Sequence, residues 1–160
     1  MMTFRRAIYL CLLPLLLSAC GDSGNSGNSE LSSDELLAKK VELGEFLFED
    51  ENLSTPPGQS CASCHNPQKA FTDQQQFSDG IDGILGTRNA MPLFNLAWNF
   101  NERFSWDGKE FRLENQAFEP VTNPIEMHAN WKNVAEKLQN NTAYPDLFLK
   151  AFGTSKIDSI

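Results

Sequence analysis

The clearest hydrophobic periodicity in the chain lies in residues 32–50, SSDELLAKKVELGEFLFED. Apolar side chains recur there near the helical period and predict an amphipathic α-helix. The members of this apolar stripe are Leu36, Leu37, Val41, Leu43, Leu47 and Phe48. Ser32 is followed three residues later by Glu35, which is the spacing of a capping box. The helix is therefore expected to begin next to this serine.

Two more helices are predicted near the other end of the sequence. The segment NWKNVAEKLQN, residues 130–140, opens with the capping residue Asn130 and has four apolar residues on one face: Trp131, Val134, Ala135 and Leu138. The segment YPDLFLKAFG, residues 144–153, has a proline near its start and a glycine at its end, which is the usual asymmetry of helix ends. Upstream of these two segments, residues 112–118, RLENQAF, are expected to form a short helix at best.

The glycine-rich segment FSDGIDGILGTRNAMPLFN, residues 77–95, has no helical period and predicts a long loop. Aromatic residues around it indicate that the loop is ordered, and ordered loops of this length are usually functional. Alternation of apolar and polar residues never persists for more than four residues, so no strand is predicted. The predicted fold class is therefore all-α, with long ordered loops.

Composition and charge narrow the function classes. The chain has 160 residues, enough for one ordinary domain, and 41% of them are hydrophobic, including twelve phenylalanines. A hydrophobic core can be built from that content. The formal net charge of −8 disfavours binding to the phosphate backbone of nucleic acid, so no nucleic-acid partner is expected.

The first twenty residues have the pattern of a bacterial export signal. Arg5 and Arg6 precede the apolar run AIYLCLLPLLL, and small residues follow, so residues 1–19 are predicted to be a signal peptide. The junction LSAC resembles a lipobox, in which Cys20 is lipidated and anchors the protein to the membrane on the periplasmic side. The alternative is a soluble export signal with an incidental Cys20. Residues 20–33, rich in glycine, serine and asparagine, predict a flexible linker.

The string Cys-x-x-Cys-His at residues 61–65 has four interpretations: a zinc half-site, a redox dithiol, a disulfide or a covalent haem site. A closed zinc site needs four ligands, and no second closely spaced ligand pair is present. A redox dithiol is expected after a strand, and a disulfide across two residues constrains the unfolded chain very little. A covalent haem needs two thiols and a following histidine, which Cys61, Cys64 and His65 supply. The haem is the favoured interpretation.

Two kinds of haem protein remain open at this point. An electron carrier needs a second axial ligand, for which Met127 is the first candidate and Met91 the second. A peroxidase keeps one face of the iron open and places acid–base groups beside it. Core packing is the ordinary alternative for both methionines.

Six segments, in this order along the chain, resemble the N-terminal half of the bacterial di-haem cytochrome c peroxidases, whose relatives include the di-haem enzymes that mature methylamine dehydrogenase. The segments are LGEFLFED, SCASCHNPQKAFTD, GILGTRNAMPLFNLAWN, FSWDGK, LENQAFEPVTNPIEM and YPDLFLKAF. The resemblance runs from about residue 36 to residue 152. It implies a cytochrome c-like haem domain over residues 34–153.

The resemblance also implies roles for individual residues. Cys61 and Cys64 would hold the peroxidatic haem c, with His65 as the axial ligand of its iron. Gln116 and Glu126 match the polar pair on the open face, and a carboxylate such as Glu126 can move a proton between the two peroxide oxygens. The expected partners are hydrogen peroxide and an electron donor such as a c-type cytochrome or a cupredoxin. A homodimer is a further expectation.

Three further residues receive roles in electron transfer, calcium binding or haem binding. Trp106 matches a tryptophan that helps electrons pass between the two haems. Asn89 matches a ligand of the calcium ion between the two domains. Arg88 is a candidate partner for a haem propionate, a suitable task for a guanidinium group.

The sequence departs from the family pattern in two respects. Many of these peroxidases carry a histidine in the glycine-rich loop that caps the resting haem, and residues 78–89 contain no histidine. An open, five-coordinate haem is therefore expected. The chain also has one Cys-x-x-Cys-His string, so residues 154–160 are expected to be the start of a missing second haem domain. The predicted activity is peroxide reduction; the alternatives are a mono-haem carrier ligated by Met127 and an oxidase of a protein or organic substrate.

Overall fold

The computed structural model describes residues 31–158. Five α-helices lie in this part of the chain: α1 at Ser33–Glu49, α2 at Cys61–Cys64, α3 at Leu113–Thr122, α4 at Trp131–Gln139 and α5 at Tyr144–Phe152. Short 3-10 turns lie at Glu51–Leu53, Pro67–Lys69, Ile81–Gly83 and Leu96–Trp98. Residues 31–158 contain no β-strand, only three isolated bridges, so the predicted all-α class is confirmed.

The predictions for the beginning of the chain lie outside the described residues. These are the signal peptide at residues 1–19, the lipidation of Cys20 and most of the linker at residues 20–33. None of the helices found within residues 31–158 has the length and hydropathy required to span a membrane.

Helix α1 forms as the apolar periodicity predicts. The Ser32 side chain accepts a hydrogen bond from the Glu35 N–H, and the Glu35 carboxylate accepts one from the Ser32 N–H, so the capping box is present. The buried Leu43 faces the core, where α1 packs against α5. Tyr144 of α5 strengthens this contact because its hydroxyl donates to the Asp50 carboxylate over 2.6 Å at the end of α1.

The hydrophobic core gathers the inner faces of the helices. Its buried members are Leu43, Leu53, Val121, Met127, Ala129, Val134, Leu138, Tyr144, Leu147 and Ala151. Helix α4 is capped by the Asn130 side chain, which accepts the Lys132 N–H, and α5 ends at Gly153 in the left-handed conformation, φ 74°. The sequence-based helices at both positions are thus confirmed.

Helix α3 is longer than the sequence predicts. It was expected to end near residue 118, but it continues to Thr122 with Pro120 inside it. Proline normally ends a helix because it lacks the N–H donor. Here Val121, only 2% exposed, packs the last turn into the core. The carbonyls of Pro120 and Val121 accept hydrogen bonds from Met127 and Ala129, so the following segment satisfies this helix end.

Candidate functional site

The Cys-x-x-Cys string forms a single helical turn. Cys61 and Cys64 are the first and last residues of α2, and the His65 N–H donates to the Cys61 carbonyl over 2.9 Å. Both cysteines are half-buried free thiols. Burial raises the pKa of each thiol, and the charges of Asp73, Glu126 and Asp79 raise that of Cys64 further. The two thiols are therefore unbridged, harder to ionise than a free cysteine, and held on the same short turn.

The ring of His65 is oriented by a backbone carbonyl. Its Nδ1 lies 2.9 Å from the oxygen of Phe71. A carbonyl only accepts hydrogen bonds, so Nδ1 carries a proton, and in the neutral imidazole it is Nε2 that has the free lone pair. The turn that carries Phe71 is tight: Ala70 and Phe71 have φ of 57° and 56°, and the Phe71 N–H donates to Asn66. This is the usual way in which a protein fixes a metal-binding histidine.

The carboxylate of Glu126 lies within electrostatic reach of this turn. Its pKa is raised, chiefly because the surrounding protein desolvates it, although Glu126 is an exposed residue. The Glu119 charge raises this pKa as well, whereas the hydrogen bond from Asn123 and the charges of His65 and Lys109 lower it. Lys109 and Glu119 form an ion pair of 2.6 Å beside it. The structure thus brings Glu126 and His65 to the same region.

The glycine-rich loop is fastened to the backbone of Glu126. The Ile81 N–H donates to the carbonyls of Ile125 and Glu126, over 3.1 and 2.9 Å. This approach requires a glycine at position 80, because a Cβ there would lie 1.8 Å from the Ile125 oxygen. The loop therefore holds the backbone of Glu126, the residue that the sequence analysis proposes as the acid–base group.

Gln116 lies on α3 and is half-buried. Its side-chain oxygen is fully buried and has no hydrogen-bond partner among the described residues. A buried amide oxygen without a donor is rare in a folded protein, and it indicates a site where another group completes the hydrogen bond.

Trp106, Asn89 and Arg88 meet at one surface cavity of about 420 Å³, which Gln76 and Thr87 also line. The Trp106 indole N–H donates to the Asn89 carbonyl over 2.9 Å. Trp106 is 51% exposed, so one part of its ring is held and the rest is open to solvent. The structure therefore brings together the residues predicted to transfer electrons, to bind calcium and to contact a haem propionate.

Met127 has a different environment. It is 3% exposed and packs in the core cluster. Its carbonyl accepts the Thr55 N–H and its N–H donates to the Pro120 carbonyl, so both backbone groups tie it to neighbouring segments. Core packing accounts for this methionine.

The donor set fits a covalent haem. Two unbridged thiols and a histidine with its Nε2 lone pair free are presented on one turn. Ten large apolar side chains of residues 77–118 are exposed: Phe77, Ile84, Leu85, Phe94, Trp98, Phe100, Trp106, Phe111, Leu113 and Phe118. No group of three or more His, Cys, Asp or Glu residues that could hold a metal ion occurs in the part of the chain that the structure describes.

A match to a known protein family decides to which class of haem protein the chain belongs. The model of the family described as di-haem cytochrome c peroxidase matches residues 38–160. The chain belongs to this family. Membership implies a c-type haem, with which the turn at residues 61–65 is consistent, and it confirms the cytochrome c-like helical domain.

Several relatives show how much of a family member the chain represents. It is 38% identical over 124 residues to the methylamine utilization protein MauG of Methylorubrum extorquens. The alignment covers 78% of this chain and 35% of that protein. It is 36% identical over 124 residues to the cytochrome c551 peroxidase of Pseudomonas aeruginosa, with the same coverage of 78% and 35%. The chain therefore spans about a third of the length of these relatives.

A solved structure is similar over the same region. The crystal structure of a MauG-like protein associated with microbial copper homeostasis superposes with a TM-score of 0.68 at 29% identity. The superposition covers 81% of this chain and 37% of that one.

Three features of the site were missed at the level of sequence: the Phe71 carbonyl behind His65, the close approach at Gly80, and the hydrogen bond from Asn123 to Glu126. The Asn–Pro dipeptide at residues 123–124 is a turn signal and could have directed attention to Asn123. Backbone carbonyls carry no signal in the sequence.

Proposed function

We propose that this domain reduces hydrogen peroxide at a covalently attached haem, with Glu126 as the group that transfers the proton. The observation that supports it most is the position of Glu126: a carboxylate of raised pKa lies within electrostatic reach of His65 and Cys64. A raised pKa brings a carboxyl group closer to neutrality, where it can both accept and return a proton.

Cys61 and Cys64 would hold the haem through thioether bonds, and His65 would ligate its iron through Nε2. When bound, the haem supplies an iron atom that coordinates peroxide and exchanges electrons. The Phe71 carbonyl keeps His65 in the required tautomer. Residues 78–89 contain no histidine, so this loop would not supply a second histidine ligand to the iron.

Glu126 would take a proton from one peroxide oxygen and deliver it to the other, which leaves as water. Gln116 orients the peroxide, since its buried amide oxygen lacks a donor and peroxide O–H groups can supply one. Trp106 passes electrons from the donor side, which in the full-length relatives includes a second haem. Arg88 neutralises a propionate, and Asn89 contributes to a calcium site next to the same cavity. The electron donor is a c-type cytochrome or a cupredoxin.

A second candidate function is oxidation of a protein or organic substrate. It is favoured by the 38% identity to the methylamine utilization protein MauG and by the structural similarity to a MauG-like protein. The electron-carrier hypothesis has less support, because Met127 is part of the hydrophobic core.

The test is the absorption spectrum of the chain expressed together with the c-type haem attachment machinery. A high-spin ferric spectrum that changes on addition of peroxide is expected. Glu126→Gln should slow that change by about 100-fold or more, the usual contribution of an acid–base group. Glu114→Gln, an exposed glutamate of α3, is the matched control and should leave the rate unchanged. A low-spin spectrum with a methionine–iron charge-transfer band would support the electron carrier instead.

We further propose that the protein is exported and anchored by a lipid on Cys20, on the periplasmic side of the membrane. The support is the signal-like sequence of residues 1–19 and the linker-like composition that follows. Labelling cells with a radioactive fatty acid tests it, since Cys20→Ser should abolish incorporation. Wild-type protein without label would show that the export signal is of the soluble type.

A further inference from the structure

Asn123 occupies the point where α3 ends and the segment with Glu126 begins. Its N–H donates to the Glu119 carbonyl over 3.0 Å and so completes the helix. Its own carbonyl accepts two hydrogen bonds, from the N–H groups of Glu126 at 3.1 Å and His128 at 2.9 Å. The main chain of Asn123 therefore fixes the turn on which Glu126 is presented.

The side chain of Asn123 also contacts this turn, with both ends of the amide. Oδ1 accepts the Ile125 N–H over 3.1 Å, and Nδ2 donates to Oε1 of Glu126 over 2.7 Å. A backbone N–H only donates, so the amide oxygen must face Ile125 and the NH₂ group must face Glu126. The orientation of the amide is thus determined by its partners.

We propose that Asn123 is a positioning residue that holds the Glu126 carboxylate by Oε1 and leaves Oε2 to exchange the proton with peroxide. This inference rests on the proposed function of Glu126. The backbone of Glu126 is already held by the Ile81 N–H, so the remaining freedom lies in the side-chain torsions. The hydrogen bond from Asn123 restricts those torsions. Lys109, the nearby cation, is paired with Glu119.

Asn123→Asp separates positioning from folding. The substitution keeps the volume and the oxygen that accepts the Ile125 N–H, but it replaces the donor NH₂ with an oxygen that repels the Glu126 carboxylate. In the haem-loaded chain, the peroxide-dependent spectral change is expected to be about 10- to 100-fold slower, the cost of a displaced catalytic group. Asn133→Asp, the same change on the exposed face of α4, is the control and should leave the rate unchanged.

A second measurement needs no peroxide. Asn123→Asp should lower the midpoint of thermal unfolding, and adding Glu126→Gln to it should recover much of the loss, because the introduced amide donates to the introduced carboxylate. The two substitutions are then coupled in a double-mutant cycle. Strictly additive changes in the midpoint would overturn the inference.

The outcomes distinguish this inference from the function on which it rests. If Glu126→Gln reacts with peroxide as fast as the wild type, the proposed function fails. If Glu126→Gln is slow but Asn123→Asp is as fast as the wild type, the positioning role of Asn123 fails. Should Asn123→Asp not fold, Asn123→Ser replaces it, since a serine hydroxyl can still accept the Ile125 N–H but does not reach Glu126. A wild-type rate for this variant would also overturn the inference.

Discussion

Gly80 lies so close to the backbone of Ile125 that no side chain fits between them. A Cβ on Gly80 would lie 1.8 Å from the Ile125 oxygen and 2.8 Å from the Ile84 oxygen. The backbone of Gly80 is extended, with φ −98°, so the restriction is steric and not conformational. The glycine is needed because two loops meet there, and one of them carries Glu126.

Gly80→Ala is expected to separate these loops and to destabilise the domain by about 1–3 kcal/mol, the usual cost of overpacking. The atoms that would clash are backbone carbonyls, which cannot rotate away as a side chain can. Urea unfolding followed by circular dichroism measures the effect. Because Ile81 donates to the Glu126 carbonyl, the same variant should also react more slowly with peroxide.

Gly44→Ala is the matched control. This glycine lies inside α1, and a Cβ there would meet nothing within 4 Å. Alanine favours the helix, so the substitution should stabilise the domain by about 0.5–1 kcal/mol. If both variants changed stability equally, the close approach at position 80 would have no energetic significance.

The helices could be predicted from the sequence, whereas the contacts between loops could not. Periodic apolar residues predict α1, α4 and α5, and the capping residues Ser32, Asn130 and Gly153 mark one end of each helix. α3 extends beyond the short helix that residues 112–118 predict, and the burial of Val121 accounts for the extra turn. Local patterns report helix ends but not tertiary packing.

The candidate site shows the same division. The thiols of α2 could be predicted from the Cys-x-x-Cys-His motif. The ordered loop could be predicted from its glycine content. The groups that orient His65, Trp106 and the Ile81 backbone are three backbone carbonyls, those of Phe71, Asn89 and Ile125. Every residue has a backbone carbonyl, so the sequence cannot show which carbonyls accept these hydrogen bonds.

Thr72 links the turn behind His65 to the loop that holds Trp106. Its hydroxyl donates to the Ala90 carbonyl over 3.0 Å, next in sequence to the Asn89 carbonyl that accepts the Trp106 indole. Thr72→Val leaves the Ala90 carbonyl without this donor and should destabilise the domain by about 1–3 kcal/mol. Thr72→Ser keeps the hydroxyl and should retain most of the stability. Equal losses in the two variants, measured by urea unfolding, would assign the effect to methyl packing.

The thiols of α2 should react slowly with alkylating reagents before haem attachment. Burial raises the pKa of both Cys61 and Cys64 above the ordinary 9.0, so at neutral pH the reactive thiolate is scarcer than in a free cysteine. Iodoacetamide should modify the haem-free chain more slowly than a cysteine peptide, and its rate should still rise with pH where the rate of the peptide has levelled off.

Asp79→Asn supplies the internal comparison for this experiment. The charge of Asp79 raises the pKa of Cys64, and it is not among the causes of the shift at Cys61. Removing it should speed alkylation of Cys64 and leave Cys61 unchanged, as resolved by peptide mass mapping. A rate profile identical to that of the free peptide would contradict the burial of these thiols.

The hydrogen bond between Tyr144 and Asp50 predicts a specific loss of stability in alkali. Burial and the adjacent carboxylate raise the pKa of the Tyr144 phenol, so the folded domain keeps its proton at a pH where the unfolded chain releases it. The stabilisation is fully present below the unfolded phenol pKa of about 10 and declines as the pH rises above it. Tyr144→Phe should cost about 1.5–3 kcal/mol at neutral pH, the contribution of a hydrogen bond to a charged group. Its stability should also fall less steeply than that of the wild type above about pH 10 in urea unfolding series. Parallel pH profiles would show that the phenol is not held by Asp50.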